Sequence, residues 1–212
     1  MKAAGLNGAF KMDESEEKGQ VEPYRTVESR YLLKSPWRNF REDRVDIGNG
    51  REITYSYVET PQAVFVVPLT TRGEIVLIRQ YRYPVRDWVL EVPAGSRSTP
   101  DEDPALAAQR EVREEIGGDY RELVHLGRFY SSSAHLNLYS HIFLAVGVEL
   151  NREQDLEETE LLQRLVLPAG EVLDLAHRAG ISEGQSAYAV LLAEPFIREQ
   201  LEKLKIEKEP QP

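Results

Sequence analysis

The segment DPALAAQREVREEIGG, residues 103–118, is legible at both ends and along one face. Asp103 suits an N-cap and Pro104 the first helical position, where a missing N–H costs nothing and the ring already holds a helical φ. Gly117 and Gly118 end the run, because glycine closes helices in left-handed backbone without strain. Ala105, Ala108, Val112 and Ile116 recur at helical spacing and make one apolar stripe. A helix with one such stripe must pack against another layer. Beside the stripe lies a conflict: Glu111, Glu114 and Glu115 are surface neighbours, and like charges so spaced cost about 0.2–0.5 kcal/mol per pair. Arg110 and Arg113 could offset that repulsion, and so could a divalent cation.

The segments around this helix read mostly as strands. TVESRYLL, FREDRVDI and REITYSYVET, the last two joined through the turn signal GNG at 48–50, predict a small antiparallel sheet between Tyr24 and Val58. AVFVVPLT and EIVLIRQYRY are stronger strands joined by TRG at 71–73, and WVLEVPAG at 88–95 predicts one short strand ending in a Pro-Ala-Gly turn. ELVHLGRFY, LYSHIFLAVGVEL and LLQRLVL continue the pattern after the helix. AGEVLDLAHRAG then predicts a helix, and SEGQSAYAVLLAEPFIREQLEKLKIEKE one or two more, broken near Pro195. Interspersed strands and helices of this kind predict an α/β (α+β) chain with a mixed sheet and helices packed on it.

Composition narrows the function. Lys and Arg number 26 against 36 Asp and Glu, a net charge of −10, which argues against binding nucleic acid through its phosphates. There is no cysteine, so disulfides and thiolate metal sites are excluded; this fits a reducing cytosol and predicts a cytoplasmic protein. No apolar run approaches the length of a membrane helix. Residues 1–20 lack a sustained apolar core with a cleavage site and read as a disordered polar leader rather than a signal peptide. The expected organisation is a leader at 1–20, a β arm at 21–58 and a larger domain at 59–212 that includes the C-terminal helices.

Glutamates on a helix are usually solvated, but carboxylates converging from a rigid element also suit Mg²⁺ or Mn²⁺. The flanking sequence decides between the two. Gly95, a spacer, Glu102, seven residues, and then Arg110-Glu111-Val112-Arg113-Glu114-Glu115-Ile116-Gly117 resemble the Nudix box, the signature of Nudix hydrolases. There are two departures. Six residues rather than five separate Gly95 from Glu102, read as a one-residue insertion in SRSTPD, and the last position, usually apolar, is Gly118. The resemblance implies a Nudix fold, a mixed sheet sandwiched between helices, and Mg²⁺- or Mn²⁺-dependent hydrolysis of a nucleoside diphosphate derivative. By motif position it makes Glu111 and Glu115 principal metal ligands and Glu114 a ligand or orienter of the attacking water. Arg110 would hold the cluster, and the Ala94 carbonyl would complete the coordination.

From about Tyr24 to Ala193 the chain resembles the ADP-ribose pyrophosphatase branch, most clearly in IRQYRYPVRDWVLEVPAG. That likeness assigns Arg82 to substrate phosphate, with Glu91 a further pocket candidate. It implies a homodimer built by the N-terminal arm, in which Trp37, Phe40 or Tyr31 would sandwich adenine. It also places a general base in the acidic loop EQDLEETELLQRLVLP: Glu158 as base, Glu160 near metal. The branch's Ser-Pro-Gly-like turn is replaced here by Ser132-Ser133-Ala134, followed by His135, a loop histidine that could face substrate. The expected substrate is a nucleoside diphosphate sugar, ADP-ribose first; ADP-glucose, GDP-mannose and NADH, or a non-catalytic nucleotide-binding module, are the alternatives. His125, His141 and His177 show no metal-ligand spacing in sequence and read as structural or exposed.

Overall fold

The computed structural model describes residues 23–36, 38–156 and 160–208; the expected leader at 1–20, Trp37 and Glu158 lie outside these described residues. The chain divides into two units, Met1–Tyr57 and Val58–Pro212.

The first unit is a three-stranded sheet in the order β1-β2-β3, from β1 (Arg25–Leu33), β2 (Asn39–Asp46) and β3 (Glu52–Glu59). β1 and β2 are antiparallel, with Arg25 opposite Asp46 and Tyr31 opposite Arg41. The turn after β2 needs three consecutive left-handed residues, Gly48 (φ 90°), Asn49 (56°) and Gly50 (69°), the residue types that tolerate this region. Little apolar surface is buried here. Arg44 bridges Glu28 at 3.1 Å and Glu52 at 2.8 Å, Arg25 pairs with Asp46, and Arg41 holds the buried Asp43 at 2.8 Å.

The second unit is built on one mixed sheet. Its strands are β4 (Ala63–Thr70), β5 (Glu74–Arg82), β6 (Asp87–Glu91), β7 (Ala94–Ser96), β8 (Gly118–Asp119), β9 (Glu122–Tyr130), β10 (Tyr139–Leu150) and β11 (Leu162–Pro168). The spine runs β11-β5-β4-β10-β8; β10 is parallel to β4 and antiparallel to β9. Period-two alternation in β4, β5 and β10 feeds two cores. Val64, Val66, Val76, Ile78, Phe143 and Ala145 face α1 (Pro104–Ile116) and meet Ala107, Ala108, Val112 and Ile116. Phe65, Val67, Leu69, Ile75, Leu77, Ile142 and Leu144 face the other way, onto α2 (Ala169–His177) and α3 (Gly184–Lys208). The sheet is thus sandwiched between helices.

Two expectations need correction. The short strand expected in WVLEVPAG is β6, which stops at Glu91, but Ala94 and Gly95 of the expected Pro-Ala-Gly turn open a further strand, β7, because β6 pairs with β5 and β7 with β4. The helix through Pro195 is not broken. α3 continues from Gly184 to Lys208 with Pro195 inside it. Ala189, Val190, Ala193 and Ile197, all 0% exposed, straddle the proline, and their burial outweighs the lost backbone hydrogen bond.

The helix ends of α1 follow the sequence closely. The Asp103 side chain accepts from Ala105 N at 2.8 Å, and Gly117 caps the C-terminus at φ 62°. At Gly117 a Cβ would stand 2.2 Å from the Arg152 carbonyl, so space as well as φ demands glycine. The final carbonyls of the helix are satisfied from outside. Glu114 O accepts from Asp155 N at 2.9 Å, Glu115 O from the Gln154 amide and Ile116 O from Arg164. The segment after β10 therefore clamps the end of the helix that carries the carboxylates.

Candidate active site

β4 and β5 pair at Leu69 and Ile75 beside their connecting turn. Beyond that point β6 takes the inner edge of β5 and β7 the inner edge of β4, with Val66 N donating to Pro93 O at 2.9 Å. The turn between β6 and β7 is thereby held in the middle of the sheet, and α1 lays its carboxylates against it.

Glu111 and Glu115 are buried, at 6% and 3% exposure, while Glu114 is half-buried. Glu115 Oε2 accepts from the Ala94 amide at 2.9 Å. Glu111 rests on Gly95, where a Cβ would lie 2.0 Å from Oε1 and 2.3 Å from Cδ; only glycine leaves room for this carboxylate. Arg110 gathers the group. Its Nη1 donates to Glu111 at 2.6 Å and to Glu114 at 3.1 Å, its Nη2 to the Ser96 carbonyl at 2.9 Å, and Glu102 lies 3.7 Å from its Nε. Glu102 also closes the inserted loop by accepting from Ser98 N.

The electrostatics show a site overloaded with negative charge. Burial lifts the Glu111 carboxyl to about 7 against the pull of Arg110, with Glu114 and Glu160 adding repulsion. Burial, then Glu111 and Glu160, raise Glu115 well above the carboxylate range, opposed by the Ala94 amide. Glu160 therefore belongs to this neighbourhood although it lies far along the chain. Hard oxygen donors, an excess of buried negative charge and a glycine cradle are the chemistry that accepts Mg²⁺ or Mn²⁺. Among the described residues no three acidic or imidazole groups are already drawn into a coordination cage; Arg110 and the Ala94 amide hold Glu111 and Glu115 instead.

Arg82 and Glu91 are brought together. The guanidinium is bidentate on the carboxylate, its Nε donating to Oε1 at 2.7 Å and its Nη2 to Oε2. Glu91 is 1% exposed and the Arg82 side chain 43%, so the pair buries one end and presents the other. Such a fork aims a fixed cation at an anionic ligand. Glu115 and Glu183 also act on Arg82.

The start of α3 forms a further wall that the strand and box patterns did not reveal. Glu183 accepts from the backbone N–H of Gln185 at 3.2 Å and Ser186 at 2.6 Å. Ser186 Oγ in turn accepts from Val92 N at 3.1 Å, and Gln185 Oε1 takes hydrogen bonds from Ser131 at 2.7 Å and Ser140 at 3.3 Å. An acidic residue ahead of a helix was the available signal; its long-range partners had none. In the loop after β9, His135 and Leu136 both donate their backbone N–H to Ser132 O at 2.9 Å, and Ser132 Oγ lies 3.2 Å from His135 Nδ1.

A family model for the NUDIX domain matches residues 59–184, more than half of the chain, and the protein belongs to that family. It is a Nudix hydrolase. It is 28% identical over 167 residues to the ADP-ribose pyrophosphatase of Bacillus subtilis (strain 168), covering 78% of this chain and 90% of that one. It is 27% identical over 173 residues to the methanol dehydrogenase activator of Bacillus methanolicus, covering 81% and 93%. A crystal structure of an ADP compounds hydrolase superposes with a TM-score of 0.73 at 21% identity, over 85% of this chain and 97% of the other, a likeness of fold. No helix among the described residues is long and apolar enough to cross a membrane.

Proposed function

We propose that this Nudix hydrolase cleaves the pyrophosphate bond of a nucleoside diphosphate sugar, ADP-ribose first among them, to AMP and ribose 5-phosphate. The observation that carries the reading is the pair of buried carboxylates, Glu111 and Glu115, set against Ala94 and Gly95 at the start of β7, beside the Arg82–Glu91 fork. The named activity of the B. subtilis relative supports the choice of ADP-ribose.

Glu111, Glu115 and Glu160, with Glu114 at the rim and the Ala94 carbonyl, would hold Mg²⁺ or Mn²⁺. A divalent ion there supplies neutralisation of the charge that builds on the phosphates. Arg110 keeps Glu111 and Glu114 together when no ion competes for them. Arg82, oriented by Glu91, holds the diphosphate through its exposed edge. Water's oxygen bonds to one phosphorus as the bond from that phosphorus to the bridging oxygen breaks. The proton of the water passes to Glu158, and the bridging oxygen leaves on the second phosphomonoester. The exposed aromatics of the first unit, Tyr31 and Phe40 with 42% and 39% exposure, support a homodimer in which this arm and Trp37 cover adenine.

The Ser132-Ser133-Ala134 turn favours one second reading, the same cleavage on another nucleoside diphosphate derivative. A panel of ADP-ribose, ADP-glucose, GDP-mannose, NADH and dinucleoside polyphosphates, with Mg²⁺ or Mn²⁺ and product identification in ¹⁸O-water, separates the readings. ADP-ribose is expected to show the highest kcat/KM, with AMP and ribose 5-phosphate as products. Release of no phosphomonoester from any of them refutes hydrolysis of this class. Light scattering reports the homodimer, and a monomer at working concentration removes the arm from the site.

A further inference from the structure

The sequence spacing of His125 and His141 suggested no shared ligand, but the fold brings them together. Between Gly127 and His125 the register of β9 against β10 slips: Ile142 faces Gly127, whereas Phe143 faces His125, and Leu126 is left as the extra residue. Gly127 takes φ 150° at this bulge. A bulge re-aims side chains. Here it turns His125 to the same face as His141 and Phe143. The result is an imidazole pair in which His125 Nε2 and His141 Nδ1 are hydrogen-bonded to each other at 3.1 Å.

The rings are held from both sides. Phe143 lies 4.9 Å from His125 and Tyr139 5.4 Å from His141, centroid to centroid. His125 also bonds the Gly127 backbone, which restrains that ring as outer-shell partners do in metal sites. Two nitrogens 3.1 Å apart match the bite of a chelated transition metal. Bonds of about 2.0–2.1 Å to a common ion would enclose about 95–102°, between a square plane and a tetrahedron.

We propose that His125 and His141 form a bidentate binding site for a borderline transition-metal ion, Cu²⁺, Ni²⁺ or Zn²⁺, separate from the carboxylate cluster. On binding, the proton between the two nitrogens moves to the other nitrogen of its own ring, small rotations point both lone pairs at one ion, and water fills the remaining positions. Arg97 and Arg128 act on His141 with positive charge, and Asp103 with negative. Burial, then His125 and the two arginines, hold the His141 imidazole down to about 4. Imidazole nitrogen is a poor donor for Mg²⁺, which takes oxygen ligands, and a strong one for Cu²⁺, Ni²⁺ and Zn²⁺, so the two ring nitrogens themselves select against Mg²⁺.

The test is Cu²⁺ titration of the full chain with saturating Mg²⁺ present, followed by calorimetry and electron paramagnetic resonance. One equivalent with two in-plane nitrogens is expected. His125→Ala and His141→Ala should each weaken that binding about tenfold or more and remove a nitrogen from the spectrum. His177→Ala should change neither, and a Glu115→Gln variant should retain the nitrogen signature. Unchanged affinity and unchanged nitrogen count in both histidine variants, or a wild-type spectrum with oxygen donors alone, overturns the assignment.

Discussion

Replacing Gly95 with alanine changes one hydrogen for one methyl group beside the site. Gly95 is not among the residues with positive φ, so alanine meets no backbone strain there. What it meets is Glu111: the new Cβ would lie 2.0 Å from Oε1, 2.3 Å from Cδ and 2.6 Å from Oε2. Since such contacts need at least 3.0 Å, the carboxylate must withdraw by about 1 Å. Glu111 can swing, because its carboxylate is the free end of a flexible side chain, so the protein should fold with stability within about 1 kcal/mol of wild type. Catalysis is less tolerant. A displacement of about 1 Å in a catalytic group costs on the order of 10²-fold, or about 2.7 kcal/mol of transition-state stabilisation. Steady-state kinetics over a Mg²⁺ series should show kcat/KM down by about two decades and a higher Mg²⁺ half-saturation, with the melting temperature within about 4 °C of wild type. Wild-type kcat/KM in a well-folded Gly95→Ala protein would refute the claim that the glycine cradle sets the position of the Glu111 carboxylate.

Three further outcomes follow from the geometry. Arg82→Ala strands the buried Glu91 carboxylate and should cost about 2–4 kcal/mol in chemical denaturation, whereas Arg82→Met with Glu91→Leu should recover most of that stability and none of the activity. In chelator-treated protein the raised Glu111 carboxyl means that the native state binds more protons than the unfolded chain between pH 4.5 and about 7. Unfolding free energy should therefore fall as pH rises through that window, by on the order of 3 kcal/mol, and Mg²⁺ should restore it; a rise with pH contradicts the burial argument. Gly117→Ala combines left-handed backbone with a Cβ 2.2 Å from the Arg152 carbonyl, and should lower the melting temperature by more than about 5 °C.

The local code was read where local physics decides. Asp103, Pro104 and Gly117 bound α1 because caps act within a turn of the residues that make them. The near-continuous apolar runs in AVFVVPLT and EIVLIRQYRY marked strands, and the fold covers both of their faces. Pro195 misled, because its cost is local while the burial of Ala193 and Ile197 that overrides it is tertiary. The Pro-Ala-Gly after WVLEV read as a turn alone, because a run of residues carries no record that Ala94 and Gly95 will pair with β4.

The linear chain on its own determined the chemistry on offer: hard oxygen donors at fixed helical intervals, no thiols, a glycine turn ahead of them and an arginine within reach. Those are properties of residue type and spacing. Tertiary structure alone decided how these groups are charged and what they touch. The split of β4 from β5 delivers Gly95 and Ala94 to α1, and burial in that seam lifts Glu111 to about 7. The start of α3 ties down Val92 through Ser186, and a single bulge at Gly127 swings His125 across to His141. Desolvation and strand register depend on groups far apart in sequence, and they come into being only when the sheet closes around the site.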